Sequence, residues 1–295
     1  MPGDRSRFSS AAGTLSIVSQ SDDPPDYERV HREEIYAKKE LALLKYRLQN
    51  LPAESRARMQ GRVTQELVED TMSVDTPHGQ LSVVLLGSSG GRAMTMLTRQ
   101  PATIAWIDAF QPNSVFWDVG ANIGVYTLYA ALRGDIHVTA FEPAAVNYFL
   151  LSASCEVNKF DDRVQCLLVG LGRERSVARL EVSQFVAGKS FSFLGKEQPY
   201  QGRQASLIMS MDQLIEDYGM ACPNYIKIDV PGISEDVISG GERTLQRRDV
   251  REVHIEMTTS KGGRRIADML TRHGFVATTR DEHGGSGDVT FVRQT

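Results

Sequence analysis

The stretch Val115-Phe116-Trp117-Asp118-Val119-Gly120-Ala121-Asn122-Ile123-Gly124 constrains this chain more than any other. It reads as a buried strand ending in a glycine-spaced turn. The apolar helix Val125-Tyr126-Thr127-Leu128-Tyr129-Ala130 follows, then a second strand closed by a carboxylate, Thr139-Ala140-Phe141-Glu142. A strand, a glycine turn, a helix and an acid-tipped strand form the half-site with which an open α/β sheet holds a nucleoside. Glycine lets the backbone approach a ligand closely, and Glu142 can accept hydrogen bonds from both ribose hydroxyls.

The spacing narrows the ligand. A dinucleotide loop has the form G-x-G-x-x-G, and its second glycine makes room for pyrophosphate. Here the order is Gly120-x-Asn122-x-Gly124, with a side chain at the middle position and valine after the last glycine. A ligand without phosphates fits better, and S-adenosylmethionine is the common one. Asp118 at the first strand tip would repel phosphate but could hold an ammonium group, directly or through water. Asp118, Gly120, Asn122, Gly124 and Glu142 are therefore the candidate cofactor-binding residues. A nicotinamide-dependent dehydrogenase would use the same strand–turn–helix, and a scaffold whose turn merely needs glycine would show it too.

At 295 residues the chain can form one α/β domain with a well-buried core plus an accessory segment. A formal net charge of −4 gives no sign of a nucleic-acid partner, which would favour a basic domain. The cysteines Cys155, Cys166 and Cys222 have no metal-like spacing, and no other cluster does. An odd count without a framework suggests a reducing compartment. No apolar run approaches the ~20 residues of a membrane span, and no signal-peptide pattern is visible. A cytoplasmic location is the expectation.

The pattern divides the chain in three. Residues 1–25, rich in Ser, Gly, Asp and Pro, read as disordered. Residues 26–71 read as a helical extension: Tyr27, Val30, Ala37, Leu41, Leu44, Leu48 and Leu51 follow three–four spacing, Pro52 interrupts, and Met59, Val63 and Leu67 mark a second helical face. This leucine stripe is expected to bury itself against a neighbour, and a homo-oligomer through these helices is possible. Residues 72–295 read as an α/β domain opening with a hairpin at 72–86, where His78 sits in turn chemistry. Strands alternating with helices indicate a mainly parallel sheet covered on both faces. Residues 172–205 break that rhythm with Gly188, Gly195, Gly202 and the run Lys189-Ser190-Phe191-Ser192-Phe193. They read as an insertion and a candidate substrate loop or lid. Ser210-x-x-Gln213 reads as a capping box, and a helix is expected from about Ser234 to Gln246.

Five stretches together resemble the FkbM family of S-adenosylmethionine-dependent methyltransferases. They are Val115–Gly124, Phe141-Glu142-Pro143, Ser210–Leu214, Pro223–Val230 and Val253-His254-Ile255-Glu256, and the similarity spans roughly residues 72–294. The resemblance implies a Rossmann-like class I methyltransferase fold: a mainly parallel seven-stranded sheet with helices on both faces, here with an N-terminal helical extension. It also implies O-methylation of a hydroxyl, on a small-molecule or glycan acceptor, with glycans and polyketides as typical substrates. There is one departure. The family usually places an acidic residue after Asp-Val, and this chain has Pro231. Proline changes the shape of that turn as well as its charge. A cofactor-binding but catalytically reduced module acting through partners is the alternative that this departure raises.

A hydroxyl is a poor nucleophile until its proton is removed, and a positioned base typically contributes ~10²–10⁴-fold. Candidate bases belong at the carboxyl ends of strands. Asp229 is the first choice. Tyr225, Lys227 and Asp229 share one strand face, and Lys227, lying deeper, is expected to form a salt bridge with a carboxylate. Glu256, at the end of the next strand, is the second candidate. His254, one pleat further back, reads as a satisfied structural histidine.

Overall fold

The computed structural model describes residues 15–16, 27–68, 70–182, 192–194, 202–230, 232–258, 261–283 and 286–294. The chain divides into two compact units, residues 1–73 and 74–295. The first contains strand β1 (Leu15–Ser16), helices α1 (Tyr27–Gln49) and α2 (Ala53–Val68), and the start of β2 (Thr71–Thr76). β1 runs parallel to β2, with Leu15 opposite Met72. The break between α1 and α2 falls at Pro52, where the ring denies the helix an N–H. Tyr36, Leu41, Leu43 and Leu44 are exposed.

The second unit continues through β3 (Gly79–Val84), α3 (Ser89–Met94), α4 (Met96–Arg99), α5 (Pro101–Asp108), β4 (Ser114–Val119), α6 (Val125–Leu132), β5 (Ile136–Phe141), α7 (Ala145–Val157) and β6 (Val164–Leu167). After these come β7 (Gly170–Leu171), β8 (Ser176–Val182), β9 (Ser192–Leu194), β10 (Gly202–Met209), α8 (Met211–Glu216), β11 (Tyr225–Ile228), α9 (Ser234–Ser239) and α10 (Glu242–Gln246). The chain closes with β12 (Glu252–Thr258), α11 (Lys261–Arg272), β13 (Phe275–His283) and β14 (Ser286–Arg293).

Seven strands form the main sheet in the order β13-β14-β12-β11-β4-β5-β6. Pairing from β6 to β12 is parallel, and β14 runs antiparallel between β12 and β13. This is the expected class I methyltransferase sheet. The order reverses between β4 and β11, which makes that point the switch crevice where ligands bind in open sheets. One face carries the apolar cluster Trp117, Val119, Phe141, Ile226, Ile228, Val253 and Ile255, with residues of α8 to α11. The opposite face presents Phe116, Asp118, Tyr225, Lys227 and His254 by strand alternation.

Two sequence expectations differ from what is found. The segment expected as a loop at 172–205 is, in its described parts, sheet. β8 pairs antiparallel with β10 from Gly202↔Val182 to Ile208↔Ser176, and the four strands β7-β10-β8-β9 form a second sheet. Its alternation is hidden because one side is solvent-facing: Val177 and Leu207 stay exposed. Residues 183–191, with Lys189 and Phe191, lie outside the described residues, as does Pro231. The helix expected over 234–246 is two helices. The backbone breaks at Gly240-Gly241, where a Cβ on Gly240 would stand 2.0 Å from the Gly172 carbonyl and one on Gly241 2.0 Å from Met211 Cε.

Candidate active site

The glycine loop closes β4 with three left-handed residues, Gly120 at φ 83°, Asn122 at 55° and Gly124 at 85°. Asn122 tolerates that conformation better than most side-chain-bearing residues, and its Oδ1 accepts from the Ile123 N–H at 2.9 Å. Packing also demands these glycines. A Cβ at Gly120 would lie 2.3 Å from the Asp229 carbonyl oxygen, and one at Gly124 2.3 Å from Leu151 Cδ1 in α7. The loop is thus pressed against the end of β11 on one side and α7 on the other.

Glu142 pins the same loop from β5. Its Oε2 accepts from the Asn122 N–H and its Oε1 from the Ala144 N–H, both at 2.8 Å. Burial pushes its carboxyl up to about 7, although Ala144, Asn122 and Asn147 hydrogen bonds oppose the rise. Beyond it, Gln204 of β10 donates to the Pro143 carbonyl at 2.6 Å and accepts from the Ala145 N–H at 3.0 Å. The second sheet is therefore fastened to the acid-tipped end of β5.

The register places Asp118, Lys227, His254 and Thr290 in one row across β4, β11, β12 and β14. Lys227 and Asp118 are buried. The Lys227 ammonium lies 3.1 Å from Asp229 Oδ2 and 3.9 Å from Asp118 Oδ1, and 4.8 Å from the Tyr126 ring centroid. Burial pulls Lys227 down, but Asp229 and Asp118 outweigh it and hold the ammonium above the ordinary lysine value. Burial likewise opposes ionisation of Asp229, yet Lys227 wins and keeps that carboxyl below the usual carboxylate range. Asp118 goes the other way, because burial exceeds the help from Lys227 and Thr127. Its Oδ2 accepts from Thr127 Oγ1 at 2.7 Å, while Oδ1 has no hydrogen-bond partner.

The three residues singled out for chemistry converge. The Asp229 side chain is 35% exposed against 4% for Lys227, so Asp229 is the member of the pair that opens outward. Glu256 is exposed and hydrogen-bonds to Asp229. Sequence reading missed Arg92, Gln100 and Tyr126. Burial and Arg99 hold the Arg92 guanidinium down, while Asp229 and Glu142 pull it up, so it stands within electrostatic reach of both sides of the cleft. The Tyr126 hydroxyl donates to Gln100 Oε1, and Gln100 Nε2 donates to Asp288 Oδ2 at 3.0 Å. Burial pushes Tyr126 up to about 12. These partners lie 26 and 188 residues apart, and no local pattern signals them.

His254 and His78 are each engaged by neighbouring side chains. His254 is held between Thr103 Oγ1 at 3.0 Å and Thr290 Oγ1 at 2.9 Å and stacks on Trp106 at 4.7 Å. Burial holds it down at about 3, with Lys227 adding to the effect. His78 lies 2.7 Å from Asp108. Among the described residues no group of three His, Cys, Asp or Glu could hold a metal ion, and no helix is long and apolar enough to cross a membrane.

The family model for the Methyltransferase FkbM domain matches residues 118–277. Three relatives align with the chain. The AMB antimetabolite synthetase AmbE of Pseudomonas aeruginosa is 27% identical over 214 residues, covering 58% of this chain and 10% of that protein. The 31-O-demethyl-FK506 methyltransferase FkbM of Streptomyces tacrolimicus is 25% identical over 199 residues, covering 58% and 76%. The hexuronic acid methyltransferase AglP of Haloferax volcanii is 25% identical over 140 residues, covering 48% and 55%. The match thus spans a tenth of the first relative and about half of the third.

Proposed function

This chain belongs to the Methyltransferase FkbM domain family and uses S-adenosylmethionine, and from that premise we propose that it methylates a hydroxyl of a glycan or polyketide-type acceptor. The observation that carries the reading is the Lys227–Asp229 pair. Asp229 is kept ionised by a buried ammonium, yet opens outward at the carboxyl end of a central strand. A carboxylate so placed can accept a hydrogen bond from an incoming hydroxyl, orient its lone pair and take its proton. The two methyltransferase relatives act, by name, on 31-O-demethyl-FK506 and on a hexuronic acid. The first name specifies an oxygen as the methylated atom, and the second names a sugar acid as acceptor.

The residues present fit the donor. Asp118 Oδ1 is buried and lacks a hydrogen-bond partner, and the Glu142 carboxylate, which accepts from Asn122, Ala144 and Asn147, keeps room for a further donor among its four lone-pair sites. In this reading Glu142 holds the ribose, Asp118 faces the ammonium group, and Gly120, Asn122 and Gly124 shape the loop between them. The donor supplies an electrophilic methyl group on a cationic sulfur. Asp229, with Glu256 beside it, would hold and deprotonate the acceptor, and Lys227 would keep Asp229 charged. Transfer of label from S-adenosylmethionine to a panel of glycan and polyketide acceptors tests the proposal. Label on a hydroxyl oxygen is expected. Binding of S-adenosylhomocysteine with no transfer to any acceptor class would overturn it.

A further inference from the structure

A cavity of about 300 Å³ lies on the polar face of the sheet, away from the glycine loop. Ala102, Ala105 and Trp106 of α5 form one wall, and Glu252, His254, Thr278, Asp288, Thr290 and Val292 form the rest. That volume is at the lower end of small-molecule pockets. Its Asp288 end lies next to the candidate active site, because Asp288 is the register partner of Glu256, and Glu256 hydrogen-bonds to Asp229. Asp229 and Asp288 stand two strand spacings apart, roughly 10 Å.

From this adjacency we infer that the cavity is an acceptor subsite that takes a non-anionic, hydrogen-bond-donating ring at the far end of the molecule being methylated. This rests on the methyltransferase reading above. The chemistry of the lining sets the class of ligand. Among the described lining residues there are two carboxylates, Glu252 and Asp288, and no cation. His254 is neutral and both its ring nitrogens are engaged by threonines. Glu252 is braced by the Trp106 indole N–H at 2.8 Å, and Asp288 by Gln100, so both acceptors are held in place. An ammonium or hydroxyl donor meets acceptors there, whereas a carboxylate meets like charge. The distance adds a second restriction. A hydroxyl placed at Asp229 and a ring in the cavity belong to an acceptor at least two ring units long.

Trp106 lines the cavity and the second tryptophan, Trp117, is fully buried in the opposite core, so indole fluorescence reports on occupancy. The test titrates glucosamine, methyl glucoside and glucuronate into the full chain saturated with S-adenosylhomocysteine, whose own binding is measured by calorimetry. Glucosamine is expected to bind most tightly, methyl glucoside next, and glucuronate roughly tenfold or more weaker than glucosamine. Ala105 is exposed, so Ala105→Trp should fill the cavity without disturbing the core. That variant should bind S-adenosylhomocysteine normally and lose the glucosamine-dependent signal. Thr278→Arg should raise glucuronate above glucosamine. Glucuronate binding as tightly as glucosamine, no response to any of the three, or normal glucosamine binding in Ala105→Trp would each overturn the subsite. Failure to bind S-adenosylhomocysteine would count instead against the donor reading.

Discussion

Lys227 and His254 are register partners on adjacent strands, face the same way and are both almost fully buried, yet one stays charged and the other stays neutral. Burial pushes each toward its neutral form. What separates them is the neighbour on the far side. Lys227 has Asp229 and Asp118, whereas His254 has two threonine hydroxyls and an indole face. The row is therefore split into an ionic half that opens at Asp229 and a neutral half packed beside α5. A buried position does not fix whether a basic group becomes part of a reactive site. Its partners do.

The comparison breaks most completely at the ammonium. Lys227→Met leaves the buried Asp118 without its ammonium partner and takes from Asp229 its nearest one, a change that costs about 3–5 kcal/mol. Thermal unfolding should show that loss, and methyl transfer should fall at least ~10²-fold in whatever folds. Asp229→Asn keeps the shape and removes the charge. Turnover is expected to fall ~10²-fold or more, with the affinity for S-adenosylhomocysteine nearly unchanged. Near-normal turnover would move the base to Glu256.

The neutral half should respond first in stability. His254→Leu strands the Thr103 and Thr290 hydroxyls in the interior at about 1–3 kcal/mol, read by denaturant unfolding. The same residue gives a pH test. Its folded value of about 3 lies below the ordinary 6.5, so the wild-type chain holds protons more weakly when folded. Stability from His254 is full above pH 6.5 and is lost as the pH falls from 6.5 through 3. His254→Leu should flatten that part of the acid-stability curve.

The smallest expected effect is at Glu142. Its carboxyl is raised from 4.5 to about 7 by burial, so folded-state stability from this group is full below 4.5 and is lost as the pH rises through 7. Ribose hydroxyls would favour the ionised form. S-adenosylhomocysteine should then bind a few-fold more tightly at pH 8 than at pH 6 and release protons, measurable as a buffer-dependent heat. Glu142→Gln should remove that dependence.

Local signals carried far in this chain, and long-range ones were silent. The Ser210–Gln213 capping box forms as its spacing demands. Asp118, Asp229 and Glu256 could be placed toward strand ends, and Lys227 one pleat deeper, because strand period and strand order are both written locally. The glycine loop was legible in conformation but not in cause: the atoms that exclude a Cβ come from Asp229 and Leu151, far away in sequence. The second sheet escaped because an edge β8–β10 ladder with exposed Val177 and Leu207 does not present the apolar alternation of a core strand. Gln100 and Asp288 meet only once the whole sheet is closed.

The contact between Gly120 and the Asp229 carbonyl has a consequence for how this enzyme can change. Any side chain at position 120 would shove the backbone that carries Asp229. The glycine loop and the backbone that carries Asp229 are thus a single inherited part, and variation in one cannot be explored without risking the other. The α5 wall, with the exposed Ala105, is under no such obligation. A lineage, or an engineer, seeking a new acceptor has its freedom there.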